Sequence, residues 1–224
     1  MSLSTFFEYA FDLLTPPRRT EKIVRTLSPT TLCALAPPPR ELSGDTAAIS
    51  ILPYKDPAVA ALVWEVKYYA NKRAAKLAGA LFAEVFLDIA SEEVGHIVLI
   101  PIPMHHKRKK ERGHNQTELL CKAALAHLSG RGSFDYKPDI LERTLYTTAQ
   151  QGLPKHRRLR NVTNSMKLKG GVKKDGGNLK NSLKDRVCII VDDVSTTGAT
   201  FAEAYRALKE SGARRIYCVA LAGS

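Results

Sequence analysis

Asp192 and Asp193 close a run of five apolar residues, 187–191, and are followed at once by Ser195, Thr196, Thr197, Gly198, Ala199 and Thr200. Paired carboxylates of this kind accept hydrogen bonds from neighbouring sugar hydroxyls. The run after them suits a phosphate. Its hydroxyls donate, Gly198 lets the backbone approach closely, and the start of a helix turns unpaired N–H groups and a partial positive charge on an anion. Acids at one end and an anion nest at the other describe a ribose 5-phosphate. A capped βα turn beside a metal-binding acid pair would explain the acids but not the full hydroxyl-glycine run.

Such side chains need a strand, a loop and a helix to hold them. Residues 187–191 are rich in β-branched side chains and read as a strand buried on both faces. Residues 201–208 read as an amphipathic helix that Gly212 stops. Strand, loop and helix make the half-unit of a parallel α/β sheet, which binds ligands at the carboxyl ends of its strands.

A second constellation follows a strand expected at 96–103. Lys107, Arg108, Lys109, Lys110 and Arg112 form a basic loop that leads through Gly113 to a helix, with Asn115 as its cap. Cations and backbone N–H groups at a strand's carboxyl end suit a pyrophosphate, with Lys107, Arg108, Lys109, Arg112 and Asn115 as its candidate ligands. A third segment, 143–161, has no strong period. A loop this long in a compact domain is usually a lid or disordered; as a lid, its Lys155, Arg157 and Arg158 are the cations that could close over a charged substrate.

The 224 residues allow one α/β domain with an extension. Helices are expected at 57–69, 72–90 and 115–128, a short strand near Ile140 and a final strand at 214–221. Trp64, inside the first helix, is expected in the core, and His105 and His106 at the surface. Residues 1–50 are the least regular. Phe6 to Leu14 could form a short helix, and Pro37 to Pro39 read as a linker. The chain carries a net charge of +12, and residues 104–174 hold 17 Lys and Arg against 5 Asp and Glu, so the whole excess lies there. A polyanion is the natural partner, either a diphosphate in a cleft or a nucleic acid across a face. No apolar run approaches a membrane span, and the N-terminus lacks a basic-then-apolar signal. Cys33, Cys121, Cys188 and Cys218 are widely spaced, which points to a reduced, cytoplasmic protein.

The stretch 187–200 resembles the phosphoribosyl pyrophosphate (PRPP) signature of type I phosphoribosyltransferases. Tyr54-Lys55, Lys67-Tyr68, Pro101-x-Pro103, Arg112-Gly113-x-Asn115-Gln116, Arg143, Gln150 or Gln151 with Leu153, and Arg158-x-x-Asn161 resemble the ComF family of competence-associated proteins. The resemblance runs from about residue 50 to the C-terminus. It implies an α/β, type I phosphoribosyltransferase-like fold over 51–224, with a mostly parallel central sheet flanked by helices. Residues 1–50 would be an irregular extension, the remnant of the family's zinc module.

It further implies transfer of ribose 5-phosphate from PRPP, with release of pyrophosphate, and a need for Mg²⁺. Asp192 and Asp193 would hold the ribose hydroxyls and orient the waters of Mg²⁺, and residues 195–200 would hold the 5-phosphate. The family's association with DNA uptake adds single-stranded DNA as a weak, sequence-independent partner. Two departures stand out. Only Cys33 remains of the four-cysteine module, so no zinc is expected, and His114 stands where the family has an aromatic residue.

Overall fold

Five strands lie side by side in the order β1-β7-β6-β2-β3, and every neighbouring pair is parallel. They are β1 (Thr46–Pro53), β2 (Ile97–Pro101), β3 (Phe134–Tyr136), β6 (Val187–Ser195) and β7 (Arg215–Gly223). A separate antiparallel pair, β4 (Leu141–Arg143) and β5 (Met166–Leu168), stands beside the sheet. The computed structural model describes residues 16–36, 46–145, 165–169 and 183–223. The lid candidates Lys155, Arg157 and Arg158, the segment 6–14 and the 37–45 linker fall outside them.

β2, β6 and β7 lie inside the sheet because their side chains are apolar on both sides. In β6, Val187, Ile189 and Val191 face a core built with α3 (Pro57–Tyr69), α4 (Lys72–Glu92) and α6 (Gln116–His127). Cys188 and Ile190 face the opposite core, which contains Phe201, Ala204, Ala207 and Leu208 of α7 (Ala199–Lys209) and Leu141 and Met166 of the small sheet. Phe82 and Phe86 are fully buried, and each contributes about 1.5–3 kcal/mol of apolar transfer. Gly79 lets α4 and α6 touch, because a Cβ there would stand 2.6 Å from the Ala123 carbonyl carbon.

The helices carry the local signals that start and stop them. Asp56 caps α3 by accepting from Ala58 N at 2.8 Å, with Pro57 in the first turn. Asn71 caps α4 and also donates to Glu65 at 3.0 Å. Glu65, wholly buried, is held by both forks of Arg18 at 3.1 and 2.8 Å and by the Thr20 hydroxyl at 2.6 Å. Burial alone pushes its carboxyl up, but Arg18, Thr20 and Asn71 together hold it below the ordinary value.

Several expectations need correction. The N-terminal fifty residues contain α1 (Arg19–Thr26) and α2 (Pro29–Cys33), and β1 begins at Thr46, so residue 50 lies within the sheet. Residues 106–112 form a helix, α5 (His106–Arg112), where a loop was expected. The segment has no apolar period, but Lys, Arg and Glu are good helix formers. The side chain of His105 caps it by accepting from Lys107 N at 3.3 Å, and His105 is buried rather than exposed. Trp64 is 42% exposed, not in the core. Among the described residues no helix is long and apolar enough to cross a membrane.

Candidate functional site

β6 runs four residues beyond its apolar stretch, to Ser195, and stays paired with β7 throughout. The two acids therefore sit on a strand, and successive strand residues point to opposite faces. Asp193 shares the face of Val191 and meets α3, where Lys67 Nζ lies 3.3 Å from its Oδ2. Asp192 shares the face of Ile190, toward the small sheet, and feels the charge of Arg143 at the end of β4. Both acids are nearly buried, at 6% and 5% exposure.

The hydrogen bonding of the pair is incomplete. Asp192 Oδ1 accepts from Asp193 N at 2.8 Å, and Asp193 Oδ1 accepts from Val194 N at 2.9 Å. Asp193 Oδ2 is buried with no hydrogen-bond partner. Lys67 Nζ meets that oxygen as an ion pair at 3.3 Å. Burial, and next the adjacent Asp193 charge, push the Asp192 carboxyl well above the usual range, with Arg143 pulling the other way. Burial works against the charge of Lys67, yet Asp193, Tyr68 and Asp192 together outweigh it and hold the ammonium above its ordinary value. Burial draws Arg143 down, opposed chiefly by Asp192.

A cavity of about 210 Å³ opens at this point, lined by Lys67, Arg108, Arg112, Asn115, Gln116, Arg143, both acids, Val194, Thr200 and residues 102–105. Of the predicted pyrophosphate ligands, Arg108, Arg112 and Asn115 line it, and Lys107 and Lys109 do not. The reason is the helix: 105, 108 and 112 fall on one side of α5, and Lys109 turns away to pair with Glu118 at 2.7 Å. Asn115 caps α6 by accepting from Thr117 N at 3.3 Å and donates to Ile102 O at 3.2 Å, which fixes the turn after β2.

Of the predicted phosphate residues, Thr200 reaches the cavity wall. Gly198 has φ +72°, a conformation that suits glycine, and opens α7 without a side-chain cap. The Thr197 hydroxyl accepts from Ala199 N at 3.4 Å, and Ser195 ends β6. Thr196 is exposed.

Sequence reasoning assigned no role to Lys67 or Arg143, although both stood within the motifs. Nor did it foresee that His114 would join two elements. Its ring nitrogens lie 3.2 Å from Arg112 O and 3.2 Å from Val66 O, tying the end of α5 to α3 beside Lys67. Among the described residues no group of three or more His, Cys, Asp or Glu could hold a metal by itself.

A sheet of parallel strands with an acid pair and a hydroxyl-glycine turn at the carboxyl end of a central strand is the arrangement of a phosphoribosyltransferase-like domain. Residues 142–224 match the family model described as "Phosphoribosyl transferase domain". The chain is 30% identical over 193 residues to the DNA utilization protein YhgH of Salmonella typhimurium, covering 84% of this chain and 75% of that protein. It is 32% identical over 124 residues to Competence protein F of Haemophilus influenzae, covering 55% of this chain and about half, 49%, of that one. Among solved structures, a hypoxanthine phosphoribosyltransferase from Staphylococcus aureus aligns over 69% of this chain and 65% of its own, at TM-score 0.40 and 11% identity, a likeness too loose to build on. The chain belongs to the ComF family of competence-associated, phosphoribosyltransferase-like proteins.

Proposed function

We propose that this protein binds PRPP or a nucleoside 5′-phosphate in the cavity at the carboxyl end of β6. The observation that carries the reading is the buried Asp193 Oδ2, which meets Lys67 as an ion pair but has no hydrogen-bond partner, beside Asp192 and next to the turn at 195–200. Leaving a buried carboxylate oxygen without a hydrogen bond costs free energy, and a ribose hydroxyl or a metal-bound water would satisfy it. Asp192 and Asp193 hold the ribose. Ser195, Thr196, Thr197, Gly198, Ala199 and Thr200 hold the 5-phosphate. Arg108, Arg112 and Asn115 receive the pyrophosphate, with Lys67 and Arg143 balancing the charge of the acids. The donor set fits Mg²⁺, which the acid pair would hold through water and which would neutralise pyrophosphate oxygens. No zinc is part of this reading.

Turnover, where it occurs, is displacement at the anomeric carbon with loss of pyrophosphate. Such a step develops positive charge on the sugar, and the carboxylates beneath it stabilise that charge without a protein nucleophile. Calorimetry with PRPP and Mg²⁺ tests binding, and pyrophosphate release across a panel of bases and amines tests turnover. No heat with any phosphoribosyl ligand, on folded protein, refutes the reading.

The relatives' names, a competence protein and a DNA utilization protein, support a role in DNA uptake or use. The charge excess in residues 104–174 favours a second ligand there, single-stranded DNA held weakly and without sequence preference.

A further inference from the structure

Phe82, Phe86, Phe201 and Tyr217 are buried, whereas Tyr54, Trp64, Tyr68 and Tyr69 are exposed. The guanidinium of Arg18 covers the Tyr69 ring at 3.7 Å, and of the exposed rings Trp64 and Tyr68 lie against each other. They stand one turn apart on α3, 42% and 39% exposed, with ring centroids 4.3 Å apart. The guanidinium of Arg112, itself a wall of the cavity, lies 5.0 Å from the Tyr68 ring centre. Lys67, the residue before Tyr68, touches Asp193. A continuous path thus runs from the acid pair through Lys67 and Arg112 to Tyr68 and then Trp64.

The cavity and the rings complement each other. The cavity supplies carboxylates and cations, and its 210 Å³ is below the ~300–1,000 Å³ of pockets that enclose a whole drug-sized ligand. A sugar phosphate seated there leaves its base outside, on the side where Lys67 gives way to Tyr68. We propose that Trp64 and Tyr68 form a stacking platform for a nucleobase whose sugar phosphate occupies the cavity. The inference rests on the ribose-phosphate reading above and adds the class of group attached to the sugar. Every base offers a π-face, so the platform accepts purines and pyrimidines alike. The base belongs to a free nucleoside 5′-phosphate or to a single strand, and the chemistry is the same.

Trp64 is the only tryptophan in the chain, so its fluorescence reports the platform alone. In the full protein with Mg²⁺, AMP and UMP should quench it saturably, and ribose 5-phosphate, at an occupancy matched by calorimetry, should not. Trp64→Ala should lower the ratio of AMP to ribose 5-phosphate affinity roughly 5- to 150-fold, the span of ~1–3 kcal/mol per stacked base. Quenching by an oligothymidylate but not by mononucleotides also supports the platform and identifies a strand as the source of the base. AMP that binds without quenching, and equally well to Trp64→Ala, overturns the platform and leaves the ribose-phosphate site standing. Trp64 shielded from acrylamide in the free protein overturns it too, since another segment or a second copy then covers the rings. No heat with PRPP, AMP or ribose 5-phosphate, and no quenching by any ligand, removes both readings.

Discussion

Carboxylates are buried at both ends of the sheet, and they are treated in opposite ways. At the amino end, the side chain of Glu93 is 3% exposed and accepts from Arg214 at 2.8 Å, Arg215 at 3.0 Å and the Tyr217 hydroxyl at 2.8 Å. Burial, and then the hydrogen bond to Glu93, push the Tyr217 hydroxyl up to about 12, which keeps it a donor. Glu65, beneath the N-terminal helices, is equally well supplied. At the carboxyl end, two acids stand side by side, one oxygen has no hydrogen-bond partner and one carboxyl is pushed well above its usual range. The satisfied carboxylates hold elements together. The unsatisfied pair is stability withheld from the free protein and available to a ligand.

The largest effect should come from breaking a satisfied site. Arg18→Ala leaves Glu65 buried with only Thr20 and Asn71, and breaking such a pair costs about 3 kcal/mol. At ~2–4 °C per kcal/mol for a chain of this size, the melting temperature should fall by ~6–12 °C. An unchanged melting curve would mean that α1 does not brace α3 in solution. Breaking the unsatisfied pair should do the reverse. Asp193→Asn should leave the melting temperature within ~2 °C of the parent and weaken PRPP binding roughly 10- to 150-fold, through loss of ~1.5–3 kcal/mol of charge-assisted hydrogen bonding. Thr197→Val should weaken binding in the same direction by less. Calorimetry beside thermal denaturation separates the two kinds of carboxylate.

The pH dependence sharpens the comparison. Asp192 holds its proton more tightly in the folded chain than in the unfolded one, so protonation favours folding. Its contribution is present at low pH and is lost as pH rises from the ordinary carboxylate value through the raised one. Asp192→Asn should therefore raise the melting temperature at pH 7, by ~2–4 °C if ~1 kcal/mol is relieved, while weakening ligand binding. Binding to the parent should tighten as pH rises through that same window and should release protons, seen as a buffer-dependent heat. A destabilised Asp192→Asn would place Asp192 with Glu93 and Glu65.

The motif at 187–200 was legible because strand, acids and hydroxyl-glycine turn are contiguous, and their chemistry needs no distant partner to be recognised. The partners were not. Lys67 lies 126 residues before Asp193 in the chain, and only the packing of α3 on β6 brings them to 3.3 Å. α3 is apolar over much of its surface, with Val59, Ala61, Leu62, Val63 and Val66 all buried, so its pattern does not say that Trp64 lies outside. β1 opens with a threonine and two alanines and ends in a proline, a weak strand signal, and its pairing with β7 secures it. The basic run at 106–112 has helix formers but no apolar stripe, so periodicity could not show which cations face the cavity.

That last distinction governs the smallest expected effect. A loop at 107–112 would offer its cations to DNA and pyrophosphate alike. The helix divides them, with Arg108 and Arg112 on the cavity wall and Lys109 and Lys110 outside it. Lys109 is paired with Glu118, so Lys110, exposed on α5, is the better probe. Single-stranded DNA binding rests on counterion release, with a log–log salt slope near −0.7 per phosphate neutralised. Lys110→Glu should reduce that slope by about 0.7 and weaken an oligonucleotide a few-fold at low salt, with PRPP affinity unchanged. Arg112→Gln should weaken both ligands, because Arg112 lines the cavity and also stands over Tyr68. Fluorescence anisotropy of a labelled oligonucleotide over a salt series reads the first effect, and calorimetry with PRPP reads the second. If Lys110→Glu weakens both ligands equally, the division of α5 into two faces does not hold in solution. Flat anisotropy for the parent at tens of micromolar protein would leave the outer face of α5 as a solvated surface.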